Sequence, residues 1–338
     1  MLKFISELFK KKSVEKNHLV CDFVRGGLIF SQDGLVKVCA KSSCSSESEF
    51  SLISNFNGLW FDTKSIKSKL NELKFKFQEN SIPTECSDCC YLVPDKPVGN
   101  EVFDFVVLSH WKCCFLNCSY CYDKKTDDLS TVEHFDIMPV IQQLIDEKLI
   151  TKETKIIFSC GDATLHPEFD KLMYFFINYE MKDIEIYTSA QRYCHSVAEA
   201  IGKNIAKVIV SLDGGCPYIY ERVKGSNKYD IAISNIKRYL EYQDKNRKQV
   251  IINYTLIQGL NDNKKEILDW FMHSRGLGIK KFSIDIEEKW YNTLENSVPT
   301  YLEEIIIFVK ELGNFNNMDL EFSPRVNALF KRINKKAI

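Results

Sequence analysis

Three closely spaced cysteines form the clearest chemical motif of the chain. Residues 113–121 read CCFLNCSYC, in which Cys114, Cys118 and Cys121 have the spacing C-x3-C-x2-C. Starting from Cys113 instead gives C-x4-C-x2-C, so one of the adjacent pair is interpreted as a bystander. Three thiolates on a short loop can hold one soft metal centre from one side and leave a position open. A zinc ion completed by a distant residue is the alternative.

A second set of cysteines lies in the first hundred residues. Cys21 and Cys39 flank a hairpin-like segment, and Cys86 and Cys89 form a C-x2-C pair. Four thiolates suffice for a closed iron–sulfur cluster or for a zinc knuckle, and spacing alone leaves both open. Two neighbouring cysteines could each substitute for a ligand but are interpreted as spectators, namely Cys44 and Cys90.

The composition indicates metal or redox chemistry without a strongly charged partner. The 338 residues include 13 cysteines and carry a formal net charge of −1. This balance gives no global field to draw the chain to nucleic acid or to an anionic membrane. The start, MLKFISELFKKKSVEK, is predicted to form an amphipathic helical turn rather than a signal peptide, so a cytoplasmic protein is expected. Because disulfides are disfavoured in a reducing compartment, clustered cysteines there indicate metal or redox sites.

Short apolar strands alternate with amphipathic helical stretches from about residue 103 onward. Strands without polar alternation are typical of a parallel sheet covered by helices on its outer face. The cysteine loop and other polar motifs follow strand ends, which favours a partial (β/α)6 barrel over a doubly wound open sheet. The six predicted strands are 103–110, 155–160, 184–189, 207–213, 250–258 and 280–287.

Changes in residue pattern along the sequence predict a division of this α/β chain into four parts. A small Cys-rich domain contains the hairpin, with Gly34 in its Asp-Gly turn, and a helix over 63–80. The last part contains a short strand in MDLEFSP and a basic helix, which are predicted to form a lid or a cap. The boundaries are 1–18 for a tail, 19–100 for the Cys-rich domain, 101–295 for the barrel and 296–338 for the extension.

The pattern C-x3-C-x-aromatic-C after the first strand of a βα series, with Tyr120 as the aromatic residue, resembles the signature of the radical S-adenosylmethionine (SAM) enzymes. The resemblance implies that Cys114, Cys118 and Cys121 hold a [4Fe–4S] cluster whose fourth iron is chelated by SAM. One electron then cleaves the sulfonium, and a 5′-deoxyadenosyl radical abstracts a hydrogen atom from substrate. The cofactor carries this chemistry while the protein orients it and excludes water. An electron donor such as flavodoxin or ferredoxin is implied as a partner.

A second motif follows the second predicted strand. FSCGDATLHPEF (158–169) resembles the GGEPTLHPEF element of the family, whose backbone and carboxylate contact the methionyl amine of SAM. The resemblance places Cys160, Gly161 and Asp162 at this contact. Cys160 replaces a glycine, and Asp162 replaces a glutamate with a shorter arm that keeps its charge.

Two further motifs occur in the family's order. Ser189, in Thr-Ser-Ala, stands where the family often has Thr-Asn-Gly. The segment 211–230, SLDGGCPYIYERVKGSNKYD, resembles SLDG…RG…GSF and offers Ser211 as a ribose or carboxylate contact. Lys224 stands where an arginine is usual, a change that loses bidentate carboxylate recognition.

The Cys-rich segment resembles the SPASM/twitch module of peptide-modifying radical SAM enzymes, although that module usually follows the barrel. The resemblance implies one auxiliary [4Fe–4S] cluster held by Cys21, Cys39, Cys86 and Cys89. It also implies a peptide or protein substrate that is crosslinked, epimerised or oxidised. The alternatives are a dehydrogenase or epimerase of a sugar or other small metabolite, and a non-catalytic zinc or iron–sulfur scaffold.

Five other side chains have competing interpretations. Cys216 could return a hydrogen atom to a substrate radical, but an inert loop cysteine is the simpler interpretation. His166 is interpreted as a turn or capping residue, and Cys194 as a small core residue. Trp290 and Tyr291 follow the last barrel strand and could line the substrate pocket or pack in the core.

Overall fold

A ten-stranded sheet forms the centre of the described part of the chain. The computed structural model describes residues 19–31, 34–39, 48–53, 56, 61–79, 83, 86, 89–94, 102–111, 113–121, 135–294 and 298–336. The helical turn predicted at the N-terminus and Cys44 lie outside these residues. None of the described helices is long and apolar enough to cross a membrane.

The strands of this sheet confirm the mixed α/β architecture. Six neighbouring strands pair in parallel and match the six predicted from sequence. They are β6 (Phe105–Ser109), β7 (Lys155–Phe158), β8 (Ile184–Thr188), β9 (Ala206–Ser211), β10 (Val250–Leu256) and β11 (Lys281–Ile286).

Both edges of the six-stranded unit are extended by further strands. The predicted C-terminal strand forms as β12 (Asp319–Phe322) and pairs in parallel with β11, so this stretch is part of the sheet rather than a detached lid. At the other edge, β2 (Gly27–Ser31) pairs in parallel with β6. The sheet continues through the antiparallel strands β3 (Val36–Lys37) and β4 (Ser51–Ile53).

The N-terminal hairpin therefore shares a sheet with the barrel. The turn between β2 and β3 contains Gly34 at a φ of 72°, as expected for an Asp-Gly hairpin. Leu28 and Phe30 of β2 are buried in the same hydrophobic core as Val106 and Leu108 of β6. A small two-stranded sheet of β1 (Leu19–Cys21) and β5 (Leu92–Pro94) lies beside it. The division of the chain at residue 100 stays a prediction.

Helices cover one face of the sheet because their apolar positions recur at helical spacing. The helix Phe169–Asn178, for example, buries Leu172, Met173 and Phe176, each contributing about 1.5–3 kcal/mol through burial. The helices are α1 (Asp22–Gly26), α2 (Thr63–Gln78), α3 (Met138–Asp146), α4 (Phe169–Asn178), α5 (His195–Gly202), α6 (Pro217–Lys224), α7 (Tyr229–Leu240), α8 (Lys264–Gly276), α9 (Glu288–Thr293), α10 (Thr300–Phe315) and α11 (Pro324–Lys336).

The opposite face of the sheet, called the inner face below, carries several polar side chains. Alternate residues of β8 show this, since Ile184 and Ile186 are buried under helices while Glu185 and Tyr187 lie on the inner face. Near the amino ends of the strands, Glu185 pairs with Lys155 at 2.9 Å. Near the carboxyl ends, Tyr187 is 40% exposed although β8 has neighbours on both sides. The inner face is therefore open at the carboxyl ends of the strands, where the predicted site residues lie.

Candidate iron–sulfur and cofactor site

A cleft at the carboxyl ends of the parallel strands brings together most of the residues singled out by sequence. Its lining also includes four residues that were not predicted to form the site, namely Cys113, Leu116, Tyr187 and Thr188. The predicted residues in the lining are Cys114, Cys118, Tyr120, Cys121, Gly161, Ser189, Ser211 and Lys224. Cys160 and Asp162 flank Gly161 along the chain and are not in this lining.

The cysteine loop rests on the C-terminal end of α6. The amide of Asn117 donates to the main-chain oxygen of Lys224 at 3.0 Å, and that of Ser119 donates to the oxygen of Val223 at 2.9 Å. The last carbonyls of a helix have no partner within the helix, so the loop satisfies two of them. Gly225, in the left-handed region at a φ of 61°, ends the helix beneath the loop.

The other side of the loop packs against the turn after β7. The amide of Asp162 donates to the main-chain oxygen of Cys113 at 2.7 Å. Gly161 has a φ of 56°, and a Cβ there would lie 2.4 Å from that same oxygen. A glycine at this position is therefore required by both backbone conformation and space.

The carboxylate of Asp162 accepts hydrogen bonds from other residues of the protein and does not line the cleft. It is fully buried, and its Oδ2 accepts from the Ser189 amide at 3.0 Å and from the Ser189 hydroxyl at 2.5 Å. Its Oδ1 accepts from the hydroxyls of Thr188 and Thr164 at 2.8 and 2.6 Å. The resemblance implied a carboxylate contact with SAM, whereas these bonds direct the carboxylate of Asp162 to the strand end that carries Ser189.

A buried network joins the cysteine loop to β9 and α6. Lys224 Nζ lies 2.5 Å from Asp213 Oδ2 and donates to the hydroxyl of Tyr120 at 2.8 Å. The Tyr120 hydroxyl in turn donates to Asp213 Oδ2 at 2.7 Å. Sequence reasoning did not single out Asp213, although it lies two residues after Ser211. The available signal was a charged residue directly after an apolar strand.

Burial raises the pKa of two thiols of the loop in the metal-free protein. It raises the pKa of Cys114 to about 12. It also raises the pKa of Cys118, where the cation of Lys224 acts in the opposite direction. Because metal ligation requires thiolates, binding of a metal centre must release these protons.

The donor set of the cleft fits a [4Fe–4S] cluster with one iron left for another ligand. Cys114, Cys118 and Cys121 line the cleft together with Cys113, and a cubane is bound through cysteine thiolates. The hydroxyl-bearing side chains of Ser189 and Ser211 stand on neighbouring strand ends in the same cleft. They can hydrogen-bond a polar cofactor beside the thiols. Cys113 also borders the cleft, but it is buried in a cluster with Trp111 and Leu165, which agrees with its interpretation as the bystander.

The N-terminal cysteines are only partly brought together. Cys21 and Cys86 are buried in the main core, and Cys39 and Cys89 pack against it. Burial raises the pKa of Cys21, and the nearby thiol of Cys89 raises it further. The amide of Cys89 donates to the oxygen of Cys86 at 3.0 Å, so this pair forms a turn. Within the described ranges, no three Cys, His, Asp or Glu side chains converge on a position for a single metal ion.

The remaining candidates occupy structural positions. His166 accepts a hydrogen bond from the Glu168 amide at 3.0 Å, which is a turn contact, and Cys194 is buried in the main core. Cys216 packs beside a small apolar cluster that contains Ile219. Trp290 is buried and stacks on a tyrosine ring, and an arginine lies over the ring of Tyr291. The cleft lining includes neither of these aromatics, nor Cys216.

Comparison with known proteins identifies the class to which this arrangement belongs. Residues 108–271 match the Radical SAM superfamily, and this span contains both the cysteine loop and the strand ends that form the cleft. This match confirms the radical SAM class that the motifs predicted for this part of the chain.

Individual relatives are more distant. The chain is 24% identical over 191 residues to the GTP 3′,8-cyclase of Haemophilus influenzae (strain 86-028NP), which covers 54% of this chain and 56% of that protein. It is 23% identical over 190 residues to the enzyme of the same name from Pasteurella multocida (strain Pm70), covering 53% and 55%. The chain thus spans little more than half the length of the curated relatives it matches.

Two solved structures are similar to this chain, again at low sequence identity. Streptococcus suis SuiB bound to precursor peptide SuiA has 15% identity and a TM-score of 0.49, covering 84% of this chain and 57% of that chain. Native anSMEcpe with bound AdoMet has 14% identity and a TM-score of 0.48, covering 64% and 63%.

Proposed function

We propose that this radical SAM enzyme binds a [4Fe–4S] cluster through Cys114, Cys118 and Cys121 and abstracts a hydrogen atom from a peptide or protein substrate. The observation that carries the cluster assignment is that these three cysteines line one cleft. The hydroxyls of Ser189 and Ser211 stand beside them at the ends of adjacent strands.

The chain's own residues bind and orient the cofactors. When bound, the cluster and SAM supply a one-electron reductive cleavage that generates a hydrogen-abstracting radical. Ser189 and Ser211 provide hydrogen bonds for SAM, and Asp162 fixes the position of Ser189. Leu116 borders the cleft with an apolar side chain that helps to exclude water.

An auxiliary [4Fe–4S] cluster at the N-terminal cysteines is part of this proposal. The closeness of the Cys21 and Cys89 thiols supports it, as does the turn that joins Cys86 to Cys89. Cys39 packs against the same core and would complete the set. An electron donor such as flavodoxin or ferredoxin would reduce the clusters.

A polar row across the inner face supports a peptide as substrate. Ser211 of β9 is in register with Asn253 of β10, and Asn253 with Ser283 of β11. Ser283 is in turn in register with Glu321 of β12. In-register residues of parallel strands point to the same face, so the row leads from the cleft, which Ser211 lines, toward the sheet edge.

The dimensions of this row suit an extended chain. Four strands at a spacing of about 4.8 Å span roughly 14 Å, which is the length of about four extended residues. Hydroxyl, amide and carboxylate side chains can hydrogen-bond the main-chain groups that such a segment presents. Tyr187, exposed on the same face, offers an aromatic surface beside it.

A small-molecule substrate is the second candidate. The likeness to GTP 3′,8-cyclases favours a nucleotide or another small metabolite, in agreement with the alternative drawn from sequence. The third possibility drawn from sequence, a non-catalytic scaffold, is not supported by the radical SAM match.

Two measurements test the proposal. Anaerobically reconstituted protein should hold about eight irons per chain and show the broad visible absorption of iron–sulfur clusters. Dithionite and SAM should then yield 5′-deoxyadenosine, and Cys118→Ala should abolish this product. About two zincs without colour would contradict the cluster assignment.

The substrate class is tested separately, by the stimulation of 5′-deoxyadenosine release. A peptide encoded beside this gene should stimulate it in the wild type and much less in Asn253→Ala and Ser283→Ala. Stimulation by GTP, with no response to the peptide, would favour the small-molecule candidate.

A further inference from the structure

Tyr120, Asp213 and Lys224 form a buried ion pair with additional hydrogen bonds. The side chains of Lys224 and Asp213 are 2% and 0% exposed. Asp213 is also fixed through Oδ1, which accepts from the Thr255 amide at 2.7 Å, and it holds a left-handed φ of 52°. A buried carboxylate and ammonium are stable only with such complete pairing.

Lys224 holds the cysteine loop at two points. Its main-chain oxygen accepts from the Asn117 amide at 3.0 Å, and its Nζ donates to the Tyr120 hydroxyl at 2.8 Å. Asn117 immediately precedes Cys118, and Tyr120 immediately precedes Cys121. Each of the two contacts is therefore made by the residue directly before one of these cysteines.

The charge of Lys224 is already neutralised by a partner within the protein. Its Nζ lies 2.5 Å from Asp213 Oδ2, and the Tyr120 hydroxyl shares the same oxygen. The pair is neutral overall, so it does not offer a free cation to a ligand in the cleft. Its geometry instead fixes the ring of Tyr120, which Lys224 Nζ faces at 5.2 Å from the ring centre.

We propose that Tyr120, Asp213 and Lys224 form a positioning network that holds the cysteine loop in its cluster-binding shape before any cluster is present. Lys224 and Asp213 are positioning residues that act through Tyr120 and the loop backbone, and recognition of SAM falls to other groups of the cleft. The inference rests on the proposed cluster site at Cys114, Cys118 and Cys121.

Hydrogen–deuterium exchange of the metal-free protein tests the inference without any turnover. Tyr120→Phe and Lys224→Met should each speed exchange in peptides covering 113–121 by about tenfold or more, because a buried charge or hydroxyl loses its partner. Their effects should not add in the double variant, because the two residues share one hydrogen bond. Lys224→Arg should restore part of the protection.

A matched control is Lys228→Met. Lys228 is exposed, and its Nζ lies 5.5 Å from the ring centre of Phe115 in the same loop, so this change removes a neighbouring positive charge outside the network. Exchange in this variant should equal that of the wild type. If Lys224→Met unfolds the chain, Tyr120→Phe, which removes one oxygen, carries the test.

The iron content and the SAM affinity separate this inference from the cluster assignment. In the network variants, iron bound at the cysteine loop should fall at least twofold after identical reconstitution. Wild-type exchange and full iron content, with only SAM affinity weakened in Lys224→Met, would overturn the inference and assign Lys224 to the cofactor. Failure of the wild type itself to bind iron would instead contradict the proposed cluster site.

Discussion

The amide of Asp162 donates a 2.7 Å hydrogen bond to the main-chain oxygen of Cys113. This bond joins the turn after β7 to the loop after β6, so two neighbouring strand ends are fixed to each other by main-chain atoms. The position of the thiols therefore depends on the backbone of a turn that contains none of the predicted metal ligands.

Gly161→Ala should separate these two segments. The new Cβ would lie 2.4 Å from the Cys113 oxygen, in addition to a left-handed backbone penalty of about 1–2 kcal/mol. We expect clear destabilisation in denaturant unfolding and loss of loop-bound iron. Gly259→Ala is the matched control, because it has a φ of 72° and no atom within 4 Å of a new Cβ. Equal effects of both changes would show that the close approach is unimportant.

Cys113 and Cys114 allow a comparison between adjacent thiols. Cys114→Ala should lower the iron content of the reconstituted protein by about four per chain, since a cubane would lose a thiolate ligand. Cys113→Ala should retain the iron, because this side chain packs with Trp111 and Leu165. Iron analysis and visible spectra measure both, and the reverse outcome would assign the ligand to Cys113.

Asp162→Asn should destabilise the fold by about 2–4 kcal/mol. Its Oδ2 accepts from Ser189 and its Oδ1 from the hydroxyls of Thr164 and Thr188, and an amide group cannot accept at both of its atoms. Chemical denaturation gives the free energy of unfolding. Asp170→Asn should cost less than about 1 kcal/mol, because this aspartate is 38% exposed in its pair with Arg192. Equal losses would show that the burial of Asp162 adds nothing.

His273 should make the fold sensitive to acid. Burial lowers the pKa of this imidazole below its usual 6.5, and the charge of Lys237 lowers it further. The unfolded chain then binds the proton more readily, so stability is complete above pH 6.5 and falls as the pH drops toward the lowered pKa. His273→Gln should flatten this part of the stability–pH curve. Unchanged curvature, measured by thermal unfolding across a pH series, would refute the assignment.

Local patterns predicted most of the elements of the barrel. Strands β6 to β11 were predicted because they are short apolar runs between helices with a 3.6-residue period. The pairing of β2 with β6 was not predicted, because parallel partners far apart in sequence leave no local signal. The N-terminal segment was therefore expected as a separate domain, whereas its hairpin extends the barrel sheet.

In the site, too, features set by neighbouring residues were predicted, whereas features set by contacts between distant residues were not. Cysteine spacing singled out Cys114, Cys118 and Cys121, which line the cleft together with Cys113 because all of them lie on one loop. The role of Asp213 depends on contacts with Tyr120 and Lys224, which come from separate elements. The side-chain direction of Asp162 likewise depends on its hydrogen bonds to the end of another strand.

The parallel pairing of β2 with β6 also sets an order for biosynthesis. β2 leaves the ribosome well before β6, so it has no sheet partner on that side during the interval. Cys21 is buried in a core that also contains residues of β6, such as Val106 and Leu108. The metal centre proposed at Cys21 would therefore be assembled late, after the strands that complete this core have left the ribosome.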